Sequence, residues 1–173
     1  MKFFMALATF VTFSSPALAY DTEEIGMLRA TFDGQDIELP TVIIKSNGEE
    51  SNSAYMIAPG GGFSNLTLTG FNLANTRLDI SADFYLDTPS PEAKVVGPTI
   101  DYDPTGTGQR WTSEEAPTPP VITFTTLEFD DVQGRAAGTF TGELCFADGY
   151  GSDADTDNCK PIEGSFDTQF FME

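Results

Sequence analysis

The sequence contains no histidine in its 173 residues, and its cations are few: eight Lys and Arg stand against 27 Asp and Glu, giving a formal net charge of −19 at pH 7. The lack of histidine removes the commonest general base, the usual partner of a catalytic Ser or Cys, and any zinc site that mixes Cys with His. The lack of cations opposes binding to phosphate backbones and to anionic lipid headgroups. We therefore expect neither nucleic acid nor a membrane surface as a partner.

Long apolar runs are absent after the N-terminus. Lys2, the apolar run 3–13 and the small residues Ala17 and Ala19 predict a secretory signal peptide over residues 1–19. The apolar run is shorter than the roughly 20 residues that a membrane-spanning helix needs. We therefore expect a mature chain, 20–173, that is periplasmic or secreted from a bacterium and is not inserted in a membrane.

Cysteine is scarce as well, because Cys145 and Cys159 are the only two. They do not form a Cys-x-x-Cys redox motif, and the lack of histidine leaves no Cys–His nucleophile. In an oxidising compartment we expect them to pair as a disulfide, which the chain-entropy model values at about 3 kcal/mol for a loop of this length.

The mature chain lacks helical periodicity, since no segment keeps a hydrophobic period of 3.6 residues over a useful length. Gly, Pro, Asn and Asp recur at short intervals, and the segments between them are rich in Thr, Val, Ile and Phe. A chain of about 150 residues can bury one core. The sequence therefore predicts a single all-β domain, 20–173, built as an antiparallel β-sandwich or flattened barrel with little or no helix after the signal peptide.

Alternating apolar and polar residues predict where the strands lie. The clearest strand is 77–86, and the first two strands, 27–32 and 37–45, form a pair around Asp33-Gly34 with Pro40 at an edge or bulge. The Pro-rich region 87–120 is predicted to be a long connection with short strands at 94–96 and 109–112. The other predicted strands are 54–58, 63–69, 121–129, 136–146 and 162–171, and the last three are expected to form a meander.

Two C-terminal segments, 134–144 (GRAAGTFTGEL) and 162–167 (IEGSFD), carry Gly and Phe at alternating positions. They resemble the closing hairpin of small exported bacterial β-sandwich proteins of unknown function. The resemblance implies a sandwich fold and carries no activity with it. Many of those proteins have a lipid-anchored Cys directly after the signal peptide, where this chain has Tyr20.

The acidic loop between the cysteines is the candidate metal site. Carboxylates at alternate positions can converge on a hard cation such as calcium, which takes six to eight oxygen ligands. The spacing departs from an EF-hand, and the alternative is a solvated surface loop in a protein that is acidic throughout. The candidate ligands are Asp148, Asp153, Asp155 and Asp157.

Two rival functions make geometric predictions. A carbohydrate-binding module would present exposed, coplanar aromatic side chains drawn from Tyr85, Tyr102, Trp111 and Tyr150. A carboxylate-dependent glycoside hydrolase would hold two acids with opposed pKa shifts in one pocket. Candidate pairs for it are Asp101 with Asp103, Glu114 with Glu115, and Asp130 with Asp131.

The sequence favours an exported, non-enzymatic binding or structural module over either rival. Calcium bound by the acidic loop is the one candidate cofactor, and none is required. An extracellular or periplasmic protein or glycan is the expected kind of partner.

Overall fold

The computed structural model describes residues 21–46, 48–57, 62–85 and 89–173, so the predicted signal peptide lies outside the described residues. All regular structure in this part of the chain is β-strand, which confirms the predicted fold class. The strands are β1 (Asp21–Phe32), β2 (Gln35–Ser46), β3 (Glu49–Asn52), β4 (Ala54–Ile57), β5 (Phe63–Phe71), β6 (Arg77–Tyr85), β7 (Val95–Asp103), β8 (Arg110–Thr112), β9 (Val121–Phe129), β10 (Gln133–Ala147) and β11 (Asp155–Met172). These ranges contain no helix that could span a lipid bilayer.

The 11 strands belong to one sheet that folds over into two layers. One layer has the strand order β3-β2-β1-β11-β10-β9, and the other has the order β4-β5-β6-β7-β8. The layers pack face to face so closely that a Cβ on Gly70 of β5 would lie 2.9 Å from the Cβ of Leu39 of β2. This arrangement is that of a β-sandwich or flattened barrel.

Hydrogen-bonded strands join the two layers at both sides. At one side β4 pairs in parallel with the end of β11, where Tyr55 lies opposite Phe171. At the other side β8 pairs with β10, where Trp111 lies opposite Phe146. Because β10 and β11 also pair with each other, the sheet closes on itself.

The core lies between the layers and follows the alternation of the strands. On β6, Leu78, Ile80, Ala82 and Phe84 point inward and are almost fully buried, whereas the residues between them face outward. The largest fully buried side chains elsewhere include Leu28, Leu39, Met56, Leu66, Leu68, Ile100, Phe140, Leu144 and Phe170.

Glycines lie opposite aromatic residues along the β10–β11 pair. The cross-strand partners are Gly134 with Phe170, Gly138 with Phe166, and Phe140 with Gly164. A Cβ on Gly138 would approach the Cζ of Phe166 to 2.7 Å, so the absence of a side chain is what gives the ring its space. The glycines therefore leave room for the aromatic rings of one strand to lie over the backbone of the other strand.

Two buried hydroxyls connect β2 with β11. The Oγ1 atoms of Thr41 and Thr168 lie 2.5 Å apart, and both residues are at most 2% exposed. Thr168 donates its own proton to the carbonyl of Gln169 at 2.8 Å. Thr41 must therefore be the donor to Thr168, because a carbonyl can only accept.

The sequence predicted most strands, but β1, β7 and β11 extend well beyond their predicted ranges and β3 was not predicted. β7 runs from Val95 to Asp103, beyond the short strand predicted at 94–96, because a register shift in its pairing with β6 absorbs Gly97 and Pro98. β11 begins at Asp155, before the predicted start at residue 162, because its early part pairs with the end of β10.

Other local predictions agree with the structure. Pro40 pairs with Met27 of β1, while β3 pairs with β2 only from Ile43 onward, so Pro40 lies where β2 is an edge strand. The Cys145–Cys159 disulfide is present, and its two residues are direct cross-strand partners with Cα atoms 4.0 Å apart. It ties β10 to β11 next to the loop that joins them.

Candidate functional site

An open cleft of about 550 Å³ lies on the outer face of the β4–β8 layer, between the β2–β3 hairpin and the loop 148–154 that joins β10 to β11. Three aromatic side chains line it, each from a different element: Tyr55 of β4, Phe71 of β5 and Tyr150 of the loop. The polar lining includes Asn52, Thr69, Asn75, Arg77 and Asp103. A concave surface with aromatic walls and a few fixed polar groups is the usual form of a small-ligand site.

The floor of the cleft is polar because β5 and β6 alternate. Phe71 lies opposite Arg77, and Thr69 lies opposite Asp79, all facing outward. Thr69 donates to Asp79 Oδ1 at 2.6 Å, and Arg77 Nε lies 2.6 Å from Asp79 Oδ2. Both oxygens of Asp79 are therefore engaged by neighbours on the floor.

Asp79 adjoins the cleft through its contacts with Thr69 and Arg77, and its surroundings clearly alter its titration. Burial is the largest influence and raises the pKa of Asp79, and it outweighs the hydrogen bond from Thr69 and the charge of Arg77, which lower it. Asp101, its cross-strand neighbour on β7, raises the pKa further by repulsion.

A second ion pair, between Arg110 and Asp101, lies beside Asp79 on the next strand of the layer. Arg110 Nε lies 3.8 Å from Asp101 Oδ1, which is too long for a hydrogen bond, and neither of these two buried atoms has a hydrogen-bond partner within the described ranges. Arg110 does donate to Glu114, with 3.2 Å between Nη2 and Oε2. The attraction between Arg110 and Asp101 is thus mainly that of their charges.

One wall of the cleft is a tight turn organised by Asp103. Its carboxylate accepts hydrogen bonds from the backbone N–H groups of Thr105 at 2.9 Å, Gly106 at 2.7 Å and Gly108 at 3.3 Å. Gly106 and Gly108 have φ of 67° and 90°, which glycine adopts without strain. Asp103 serves the turn and is 6% exposed, so it offers the cleft little charge.

Contacts to β8 and to the residues on either side of it hold Tyr150 over the cleft. The ring of Tyr150 lies over the guanidinium of Arg110, with 4.9 Å between Cζ and the ring centroid. Gln109 donates to Asp148 Oδ1 at 2.7 Å, and the N–H of Ala154 donates to Glu115 at 3.1 Å. The disulfide at the base of the loop adds a covalent tie, yet Tyr150 itself remains 63% exposed.

The four aromatic residues that the sequence analysis gave as candidates for a sugar platform fall into an inward-facing pair and an exposed pair. Trp111 and Tyr102 face inward, with Phe32 at 5.2 Å from each ring, and Lys160 lies 5.0 Å above the Trp111 ring. Burial raises the pKa of the Tyr102 hydroxyl. Tyr85 and Tyr150 are exposed, and of these only Tyr150 lines the cleft. Trp111 and Tyr102 are therefore partly buried against the core and do not form an exposed platform.

Sequence inspection missed Tyr55, Phe71 and Arg77. A signal for Phe71 was available, because residues 63–71 alternate and both Phe63 and Phe71 fall on the polar side of the strand. Nothing in the sequence indicated that Tyr55 would lie beside them, since that depends on how β4 pairs with β5.

The four candidate calcium ligands are dispersed. Asp148 accepts from Gln109, and Asp155 accepts from the N–H of Asp157 at 3.1 Å on β11. Asp153 lines a separate small depression beside Glu114 and Glu115. Within the described ranges no three carboxylates or other ligand side chains are grouped for a metal ion, and the calcium site stays a prediction.

The carboxylate pairs proposed for hydrolysis have local partners. Asp101 faces Arg110 and Asp103 caps its turn, while Glu114 and Glu115 bind Arg110 and Ala154. Asp130 accepts from the N–H groups of Gln133 and Val132, which lower the pKa of its carboxyl. It lies in the β9–β10 turn beside exposed Asp131, in a different part of the fold from Asp79.

A larger depression of about 730 Å³ covers the outer face of β1, β2, β10 and β11. Three of its charged groups have local partners, since Arg29 Nε donates to Glu38 at 3.1 Å and Thr31 donates to Asp36 at 3.0 Å. Phe140, the aromatic residue beneath it, is 1% exposed. No aromatic side chain among its lining residues is exposed, whereas three aromatic side chains line the β4–β8 cleft, which is therefore the better candidate.

No protein-family profile matches this chain, and neither a curated protein nor a solved structure shows significant similarity to it.

Proposed function

We propose that this protein is an exported, non-enzymatic binding module that holds a neutral saccharide in the cleft of the β4–β8 layer. The observation that carries the proposal is the placement of Tyr55, Phe71 and Tyr150 around a floor of hydrogen-bonded polar side chains. A sugar ring has an apolar face made of C–H groups and a rim of hydroxyls. Aromatic walls suit the first, and a polar floor suits the second.

The charge of the cleft favours a neutral ligand. Arg77 is balanced by Asp79 at 2.6 Å, so the floor has little net charge to offer an ion. The whole chain carries a formal charge of −19, which repels anions at longer range. Hydroxyl groups can bind to such a floor without bringing a charge of their own.

The roles of the carboxylates support binding over hydrolysis. Asp79 accepts from Thr69 and Arg77, and Asp103 accepts from the backbone of its own turn. A hydrolase needs one free acid and one free base at the scissile bond. Acids whose oxygens are already occupied are better suited to holding the floor and wall of a binding site in place.

The proposed export agrees with the covalent structure. The signal peptide predicted at 1–19 leads to compartments in which disulfides persist, and Cys145 and Cys159 form one beside the cleft loop. Saccharides of cell envelopes and of the surroundings are available to a protein in such a compartment.

The proposal is tested by screening the purified protein, with its disulfide intact, against an array of neutral glycans and measuring the hits by calorimetry. Tyr150→Ala and Phe71→Ala should each weaken binding by about tenfold, the loss expected for one aromatic contact. Val132→Ala, which trims an exposed apolar side chain in the β9–β10 turn, is the control and should bind normally. Failure of every neutral glycan, or full binding by both cleft variants, would refute the proposal.

A further inference from the structure

The outward face of β5 has an aromatic residue at each end and polar residues between them. Phe63 and Phe71 are the ends, and Asn65, Thr67 and Thr69 lie between them, while the alternate residues are buried in the core. Phe71 belongs to the cleft already described, whereas Phe63 lies at the opposite end of the same strand. The face is thus longer than the cleft.

The neighbouring strand β6 also has an aromatic residue at the end away from the cleft. Tyr85 lies directly opposite Phe63, and the two side chains are 59% and 41% exposed. Ile57 of β4 and Val96 of β7 are exposed on either side of them. Together these four residues form an apolar end patch on a strongly acidic protein.

Hydrogen-bonded side chains fill the space between the cleft and the end patch. Asn65 donates to Ser81 Oγ at 2.8 Å and to Asp83 Oδ1 at 2.6 Å. Thr67 donates to Asn65 Oδ1 at 2.8 Å. These bonds fix the side chains before a ligand arrives, which lowers the entropy cost of binding one.

The distance between the two aromatic ends fits a chain of sugars. Phe63 and Phe71 are eight residues apart on one strand, which corresponds to about 26 Å at about 3.3 Å per residue. A single ring cannot reach both ends, whereas a linear oligosaccharide of several rings can lie along the polar strip and contact aromatic side chains at each end.

We propose that the ligand is a linear neutral glycan chain that runs along β5 and β6, with a second subsite at Phe63 and Tyr85. This inference rests on the proposed saccharide-binding function and adds the length and direction of the ligand. Contacts at the second subsite become intramolecular once the first ring is held in the cleft, so affinity rises with chain length.

The test is a length series, from disaccharide to hexasaccharide, of linear neutral glucans, mannans, xylans and chitin fragments, measured by calorimetry. The best hexasaccharide should bind at least about tenfold more tightly than its disaccharide. Phe63→Ala and Tyr85→Ala should each remove most of this gain and leave disaccharide binding unchanged. Thermal melts of both variants, with Val132→Ala as the control, should match the parent protein because these side chains are exposed.

Three results would overturn the inference in distinguishable ways. If a disaccharide binds as tightly as its hexasaccharide, the cleft acts alone and the second subsite is refuted while the proposed function stands. If both end-patch variants keep the full gain with length, the chain follows another path and the second subsite is again refuted. If no saccharide of any length binds, the proposed function fails together with this inference.

Discussion

Phe140 of β10 lies directly opposite Gly164 of β11, and a Cβ on that glycine would be 2.8 Å from Cε1 of the ring. The backbone carbonyl of Arg29 on β1 approaches the same point from the other side. The buried ring therefore occupies the space that a side chain at position 164 would need.

Gly164→Ala should destabilise the fold by about 1–3 kcal/mol or more, because the new methyl group would meet both the Phe140 ring and the Arg29 carbonyl, and these cannot both move away. The measurement is the free energy of unfolding from urea melts. Gly149→Ala is the matched control, since its Cβ would meet only Ser152 Oγ at 3.4 Å and should cost little. Equal stabilities for the two variants would show that the ring can shift without cost.

The Thr41–Thr168 hydroxyl pair predicts that two similar substitutions differ in cost. Thr41→Val leaves Thr168 still donating to Gln169, so it should cost only one net hydrogen bond, about 0.5–1.5 kcal/mol. Thr168→Val strands the buried hydroxyl proton of Thr41 without an acceptor and should cost more, about 1–3 kcal/mol. Urea melts of the two variants check the order, and the reverse order would mean that the protons are assigned the wrong way round.

Asp79 predicts a specific pH dependence of stability. Its folded pKa is raised from 3.8, mainly by burial, so the folded state holds the proton more tightly than the unfolded state does. The contribution of Asp79 to stability is therefore full below the unfolded pKa and declines as the pH rises through the folded pKa.

The comparison between the parent protein and Asp79→Asn isolates this contribution. In urea melts, the free energy of unfolding of the parent protein, relative to that of Asp79→Asn, should fall as the pH rises above 3.8, the unperturbed pKa of the carboxyl. A relative stability that instead increases with pH would mean that the ion pair with Arg77 outweighs burial, contrary to the assigned cause.

The calcium prediction for the acidic loop has a direct check. If the loop binds calcium, a free calcium concentration of 100 times the dissociation constant should add about 2.7 kcal/mol to stability. This is seen as a higher melting temperature that a chelator reverses. Asp155→Ala should abolish that increase. A shift no larger than that produced by sodium chloride at matched ionic strength would reject the site and leave Asp148, Asp153, Asp155 and Asp157 as solvated surface groups.

The strands that the sequence predicted best are those whose two faces differ most. β6 alternates strictly between core residues and polar residues, and its predicted range, 77–86, nearly matches the observed Arg77–Tyr85. Pairing extends the strands that were predicted too short. The residues from Asp155 to Lys160 have little alternation of their own and become strand because β10 and the disulfide hold them.

The cleft was harder to predict because its walls come from distant parts of the chain. Tyr55, Phe71 and Tyr150 meet only after β4 pairs with β5 and the β10–β11 loop folds onto Arg110. Trp111 was a candidate for a sugar platform by residue type, but in β8 its side chain points inward and packs against Phe32 of the core. Residue type indicates the chemistry available, whereas strand register decides which side of the sheet receives it.

The position of β11 in the sheet also determines when the protein can fold. Its 18 residues pair with β1, β4 and β10, so this strand bridges segments made first, midway and late. The sheet cannot close on itself until residues 155–172 are available for pairing, and contacts so distant in sequence form slowly. Closure of the sheet therefore waits for β11, and until this strand is added β1, β4 and β10 each lack a neighbour.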